Sequence, residues 1–269
     1  MKLSKNFVKD YIDIDVDIKT LAEDMTRVGN EYDRAEKLIN ATKLIIGEVL
    51  ECEDHPDSDH LHVCKVDVDE AEELKRLKYF LPHIVKASTV PVSVDTFRPT
   101  VADYALSMGA SIINDESGCF KNEMADVVKK YGAGWIFMHT GGGDSRKIAD
   151  YNNNVTGEVL SFFSNMKHQA TACGINEDQL CYDCGIGFGK SREDDLTLLS
   201  ECDKLSRYSP LLIGVSRKRI IGYITGIENP KERDYPSGVV AAIAVSDGAQ
   251  IVRVHNVALT NEIISKGDI

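Results

Sequence analysis

The chain has 269 residues, 43% of them apolar and 28% charged, enough to bury a proper core as one large α/β domain or a small domain plus a larger one. Acidic residues outnumber basic ones 43 to 31, a formal charge of −12, which argues against nucleic acid as the main partner because phosphate binding draws on clustered Lys and Arg. Seven scattered cysteines, the charged opening MKLSKNFVKDYIDIDVDIK and the lack of any run of ~18 apolar residues predict a cytoplasmic chain with reduced thiols and no membrane span.

The first stretch, residues 1–69, opens on helical spacing: Phe7, Val8 and Tyr11, then Leu21, Met25 and Val28, with Gly29 placed as a stop. Two strand-like runs follow, residues 44–52 and 61–68, separated by the polar turn 53–60. They read as a two-stranded antiparallel ribbon, a unit that is marginal in water by itself. His55, His60 and His62 read as residues of this turn and its flank rather than as a metal cluster.

From Ala71 onward, helix and strand alternate strictly. The amphipathic stretch AEELKRLKYFLPHIVKAS precedes the apolar run VPVSVDT; RPTVADYALSMGA precedes SIINDES; NEMADVVKKYGA precedes GWIFMHT. A long helix around NNVTGEVLSFFSNMKHQATACG leads to QLCYDCG, DLTLLSECDKLSRY leads to LLIGVSR, and PSGVVAAIAVSDGA leads to IVRVHNV. Near-continuous apolar strands are what a parallel sheet covered on both faces requires. Six of them predict a parallel α/β domain, a barrel or an open sheet, two strands short of the eight that close a barrel.

Polar residues recur at the carboxyl end of each strand, where such folds assemble their sites. In order they are Asp95, Asn114 with Asp115, Met138 with His139, Asp183, Ser216 to Lys218, and Arg253 with His255. Alternation along a strand puts Arg253 and His255 on one face. The carboxylates and Asn114 suit a flat heterocycle rich in N–H donors, while Lys218, Arg253 and His255 suit oxygen acceptors and phosphate. Any one of these residues could serve instead as a helix cap, Asp115 and Ser117 above all. The stretch Gly185-Ile186-Gly187-Phe188-Gly189-Lys190 fails the P-loop spacing, because Cys184 stands where the first glycine belongs. Cys181 and Cys184 form a C-x-x-C with no second pair to complete a metal site.

The segments VPVSVDTFRPTVADYAL, SIINDESG, WIFMHT, DCGIGFGK, IGVSRKRIIG and IVRVHNV resemble, in order and spacing, the signature segments of the dihydropteroate synthase family. The resemblance covers about 200 residues, from residue 70 to 269, and implies a TIM-barrel-type domain lacking its first two strands. It implies that Asp95, Asn114, Met138, Asp183, Phe188 and Lys218 bind a pterin ring. Arg253 and His255 would hold a leaving pyrophosphate, with Lys218, Arg253 and His255 as the catalytic set. The implied reaction joins 6-hydroxymethyl-dihydropterin diphosphate to p-aminobenzoate in a homodimeric enzyme that uses magnesium. The family's Asn-Val-Thr-Pro-Asp-Ser-Phe and Gly-Glu-Ser-Thr-Arg-Pro segments, which serve the magnesium–pyrophosphate and p-aminobenzoate sides, do not occur in this sequence. Arg219 stands where a serine is usual, Cys184 where a proline is, and Asn256 where an aspartate is.

Residues 1–69 resemble a different family. MKLSKNFVKDYIDIDVDIKTLAEDMTRVGNE and LIIGEVLECEDHPDSDHLHVCKVDV are similar to the start of the bacterial phenylalanyl-tRNA synthetase β subunit, including the opening of its tRNA-binding OB-fold. The resemblance implies a small α+β fragment with a partial OB-fold ribbon. Three functions follow from the whole: a dihydropteroate synthase-type transferase, a pterin-binding or dimerising protein impaired in turnover, and a tRNA-binding accessory, which the acidic composition disfavours. The connection between residues 61–69 and the following helix also suggests that this run fills the position of the missing second barrel strand.

Overall fold

The computed structural model describes residues 48–54, 62–67, 70–141, 147–208 and 210–266. The helical pattern over residues 7–29 and the turn carrying His55 and His60 lie outside the described residues. The chain divides into two compact units, Met1–Val68 and Asp69–Ile269.

In the first unit, β1 (Glu48–Asp54) and β2 (His62–Asp67) pair antiparallel, as the sequence pattern requires, with an irregularity between Val49 and Glu51. They form a sheet of their own. The expectation that residues 61–69 supply a parallel strand of the larger sheet is therefore corrected. The ladder partners of β2 are residues of β1, because a connection this short closes a hairpin and not a parallel crossover. Two strands among the described residues are fewer than the roughly five of a complete OB-fold.

The second unit begins with α1 (Glu70–Ala87), β3 (Ser93–Asp95), α2 (Pro99–Ser107), β4 (Ile112–Asp115) and α3 (Asn122–Tyr131). It continues with β5 (Gly134–Met138), α4 (Val155–Ala172), β6 (Leu180–Asp183), α5 (Arg192–Ser200) and α6 (Cys202–Leu205). The last elements are β7 (Leu211–Ile213), α7 (Arg219–Thr225), α8 (Asp234–Ser246), β8 (Ile251–Val252) and α9 (Val257–Lys266). All six strands read from the sequence are present and parallel, in the order β3-β4-β5-β6-β7-β8. With β3 and β8 as its two ends the sheet is open, an incomplete TIM-barrel-type α/β fold. Among the described residues, no helix is long and apolar enough to cross a membrane.

Burial follows the alternation of each strand. Val94, Ile113, Trp135, Phe137, Tyr182 and Ile213 point toward the helices and form one large core with residues such as Met124, Phe163 and Leu198. The opposite face carries a small cluster of Ile136, Cys181 and Leu212, with Ile112 against it. This inner layer thins toward both edges of the sheet: Ser93 and Asp95 of β3 are exposed, and Ile251 of β8 is 38% exposed. Cys181 lies in the inner cluster and Cys184 in the outer core, so the C-x-x-C pair is split between two faces.

One long helix read over residues 195–208 is broken into α5 and α6 at Glu201, whose φ of −110° and ψ of 24° leave the helical region. The outer core is held by an aromatic stack in which Phe163 meets Tyr182 at 5.1 Å and Tyr208 at 5.7 Å between ring centroids. Phe163 is completely buried, so Phe163→Ala leaves a cavity and is expected to cost about 3–5 kcal/mol. Urea unfolding followed by circular dichroism checks this, and a loss below about 1 kcal/mol would show that the stack does not carry the core.

Candidate active site at the carboxyl ends of the strands

The parallel register brings the candidate residues together as neighbours. Asp95 and Asn114 are ladder partners on β3 and β4, and Asn114 Nδ2 donates to Asp95 Oδ1 at 3.0 Å. This bond leaves the Asn114 carbonyl oxygen and the second Asp95 oxygen as acceptors. Met138 and Asp183 are partners across β5 and β6, and both are almost wholly buried. Asp183 Oδ1 accepts from Gly185 N–H at 2.7 Å. Burial pushes the Asp183 carboxyl above the usual carboxylate range, against the opposing pull of Lys218, the Gly185 N–H and Arg253.

After β6 the chain runs through the glycine-rich stretch. Gly185 and Gly189 take φ of 66° and 61°, and a Cβ would stand 2.0 Å from His139 O at the first and 2.5 Å from Thr140 O at the second. Only glycine lets this backbone ride against residues 139–140. The loop presents two groups to Lys218: Ile186 O accepts from Lys218 Nζ at 2.5 Å, and the Phe188 ring lies 4.7 Å from it. Desolvation lowers the Lys218 pKa, with Asp183 opposing. The Lys218 backbone is fixed from beneath by the buried Arg233, whose guanidinium donates to the carbonyls of Arg217, Lys218, Ile227 and Glu228.

Arg253 and His255 lie just past the two-residue strand β8, so strand alternation ends before it reaches them. Each is held by a residue of the segment that follows β7. The Arg253 guanidinium stacks over Gly214, where a Cβ would come within 3.4 Å of Nε, and His255 Nδ1 lies 2.9 Å from Ser216 Oγ. His255 N–H also donates to that hydroxyl, at 3.1 Å. Asn256, next in sequence, accepts from Leu259 N–H at 3.1 Å as a cap of α9. Asp115 likewise acts as a local cap, with Oδ1 accepting from Ser117 N–H at 3.0 Å.

Four residues escaped the sequence reading. Glu116 follows Asn114 by two and shares the electrostatic field of Asp95, Arg253 and Lys218; burial, then Asp95, raise its pKa. Asp195 accepts from Gly187 N–H at 2.8 Å, and burial raises its pKa to about 6. Lys190 and Arg233 complete the set, each bound to backbone carbonyls. Signals existed for two of them: the Ser191–Asp194 capping box marks the start of α5, one residue before Asp195, and Lys190 closes the glycine stretch.

Among the described residues, no group of three or more His, Cys, Asp or Glu side chains converges to hold a metal.

Known proteins share this chain's sequence pattern and fold. The family described as "Pterin binding enzyme" matches residues 63–255, beginning inside β2. A dihydropteroate synthase of Synechocystis is 37% identical over 201 residues, 73% of this chain and 69% of the relative. One from Staphylococcus epidermidis is 32% identical over 247 residues, 89% and 88% of the two chains. Among solved structures, Xanthomonas albilineans dihydropteroate synthase with 4-aminobenzoic acid superposes with a TM-score of 0.70 at 34% identity, covering 76% of this chain and 73% of that one. The Thermus thermophilus enzyme in complex with 4-aminobenzoate gives 0.68 at 34% identity, covering 75% and 77%. This chain belongs to the pterin binding enzyme family, as a dihydropteroate synthase-type protein of folate biosynthesis.

Proposed function

We propose that this chain joins 6-hydroxymethyl-dihydropterin diphosphate to p-aminobenzoate and releases pyrophosphate. The observation that carries the proposal is Lys218, held between Ile186 O and the Phe188 ring in the field of the buried Asp183. Asp95, Asn114 and Asp183 accept the N–H groups of the pterin, Met138 and Phe188 line its faces, and Lys218 donates to its ring acceptors. Arg253 and His255 hold the diphosphate. The bond between the pterin methylene and the diphosphate oxygen breaks, and its electron pair leaves on pyrophosphate. The arylamine lone pair forms the new C–N bond, and the amine proton passes to solvent. The chain's own contribution is positioning and cationic support of the departing anion.

A second reading is favoured by one observation: the sequence lacks the family segments on the diphosphate and p-aminobenzoate sides. In that reading the chain binds the pterin without turnover. Residues 1–69 are then a phenylalanyl-tRNA synthetase β-like fragment, an assignment supported by sequence likeness, and the cytoplasm is the compartment that suits this pathway. A homodimer is supported by exposed apolar side chains on α7 and α8, Tyr223, Ile224, Tyr235 and Ile243. Sedimentation velocity is expected to give twice the 29.7 kDa chain mass, and Tyr235→Glu to shift it toward monomer; a wild-type monomer at micromolar concentration would remove the dimer.

Calorimetry with the pterin diphosphate, followed by pyrophosphate release on adding p-aminobenzoate and magnesium, separates the readings. Binding with release supports the transferase, binding without release supports the second reading, and no binding sinks both. Asp183→Asn keeps the shape, removes the buried charge and is expected to weaken pterin binding by roughly 10- to 100-fold. Because the Asp183 pKa is raised, the carboxylate is lost as pH falls while ordinary carboxylates, near pKa ~3.9, are still ionised. Pterin affinity in the wild type is therefore expected to fall on acidification at a pH above ~3.9, with that limb absent in Asp183→Asn. An identical profile in the two proteins would exclude Asp183 from pterin binding.

A further inference from the structure

Lys190 closes the glycine-rich stretch after β6 and is buried. An ammonium has three donors, and each of these reaches a backbone carbonyl: Phe188 O at 2.9 Å, Gly185 O at 3.0 Å and His139 O at 3.2 Å. No carboxylate forms an ion pair with it among the described residues. A buried cation without a counter-ion is costly, and three carbonyls pointed at one nitrogen are the form of solvation the backbone can supply. Burial pulls its pKa down to about 8, with Cys184, Asp195 and Asp183 raising it and Lys218 lowering it further.

The three carbonyls belong to neighbouring strand ends. His139 follows β5, while Gly185 and Phe188 belong to the loop after β6. Both groups that hold Lys218 hang from that loop: the Ile186 carbonyl lies between the two clamped residues, and the Phe188 ring extends from one of them. The three donors of Lys190 are all used on backbone carbonyls.

We propose that Lys190 is a positioning residue, an internal ammonium clamp that fixes the 185–188 backbone against the end of β5 so that Lys218 and Phe188 meet the pterin in a single geometry. The inference rests on the pterin-binding reading above. Its chemistry requires a tetrahedral ammonium on a chain of lysine length. The methyl-terminated chain of methionine offers no donors, and the planar guanidinium of arginine spreads its donors over a larger fork that three converging carbonyls do not match.

The test uses full-length wild type, Lys190→Met, Lys190→Arg and Lys190→Ala. Each is titrated calorimetrically with the pterin diphosphate, and each thermal midpoint is measured separately. The wild type is expected to bind; Lys190→Met and Lys190→Arg, where folded, are expected to bind at least tenfold more weakly. Propylammonium is expected to restore at least half of the affinity lost by Lys190→Ala, and guanidinium is not. A folded Lys190→Met with a lowered thermal midpoint but wild-type affinity overturns the proposal, leaving Lys190 a purely structural residue. Failure of the wild type to bind the pterin overturns the parent reading and this one together.

If the variants do not fold, the wild type decides. With ¹⁵N-labelled lysine, the Lys190 Nζ signal is expected to exchange slowly with solvent and to shift when pterin diphosphate saturates the site. A rapidly exchanging or unmoved signal overturns the clamp.

Discussion

A carboxylate buried at the end of a central strand sets the terms for everything around it. Asp183 is 1% exposed, and an isolated charge at that depth would simply take up a proton. Its ionised form depends on the Lys218 ammonium, the Gly185 N–H and the more distant Arg253. Lys218 depends on Asp183 in return, since burial disfavours its own charge. Neither group is a stabilising element by itself, and removing one strands the other. What the pair provides is a fixed field: an acceptor and a donor, both desolvated, held in place before any ligand arrives.

Holding cations in such a place without flooding it with carboxylates calls for another source of negative potential. The chain uses backbone carbonyls. Lys190 donates to three, Arg233 to four, and Lys218 to Ile186 O. Carbonyls carry only partial charge, so they solvate a cation without cancelling its field toward the site. The loops supplying them are tight because glycines at positive φ allow the backbone to pass within contact of its neighbour.

The six strands were legible because each is a nearly unbroken apolar run ending in a polar residue, a pattern that doubly covered parallel strands impose. The site was legible for the same reason, since parallel strands place all their carboxyl ends on one rim and register does the rest, as Asp95 beside Asn114 illustrates. Two helices were not legible. Residues 219–225 contain a glycine and several β-branched side chains, poor helix formers at that length. Tertiary contact decides there, with the Arg233 guanidinium lying where a Cβ on Gly222 would stand. For α9 the cue was present in Asn256, whose cap role was hidden behind comparison with the family's aspartate. Cys181 and Cys184 mislead in the opposite way: three residues apart along an extended strand end, they point to opposite faces.

The open sheet grades the site from centre to edge. Met138 and Asp183 are 1% exposed and Asn114 is 7% exposed, whereas Asp95, on the terminal strand β3, faces solvent. A charge screened by water contributes less than the same charge in a dry wall. The acceptors that a pterin would meet are thus unequal: the central pair acts at low dielectric, and the edge carboxylate acts through a hydrated surface. Taking strands from one end of a parallel sheet leaves every remaining pair of neighbours in register, so six strands suffice to position Asp183, Lys218 and the loop between them. The loss falls instead on whatever the missing strands would have shielded, and Asp95, on the terminal strand β3, stands exposed at such an edge. On the proposed reading, recognition of the heterocycle draws both on the dry acceptors Asn114 and Asp183 and on the hydrated edge at Asp95.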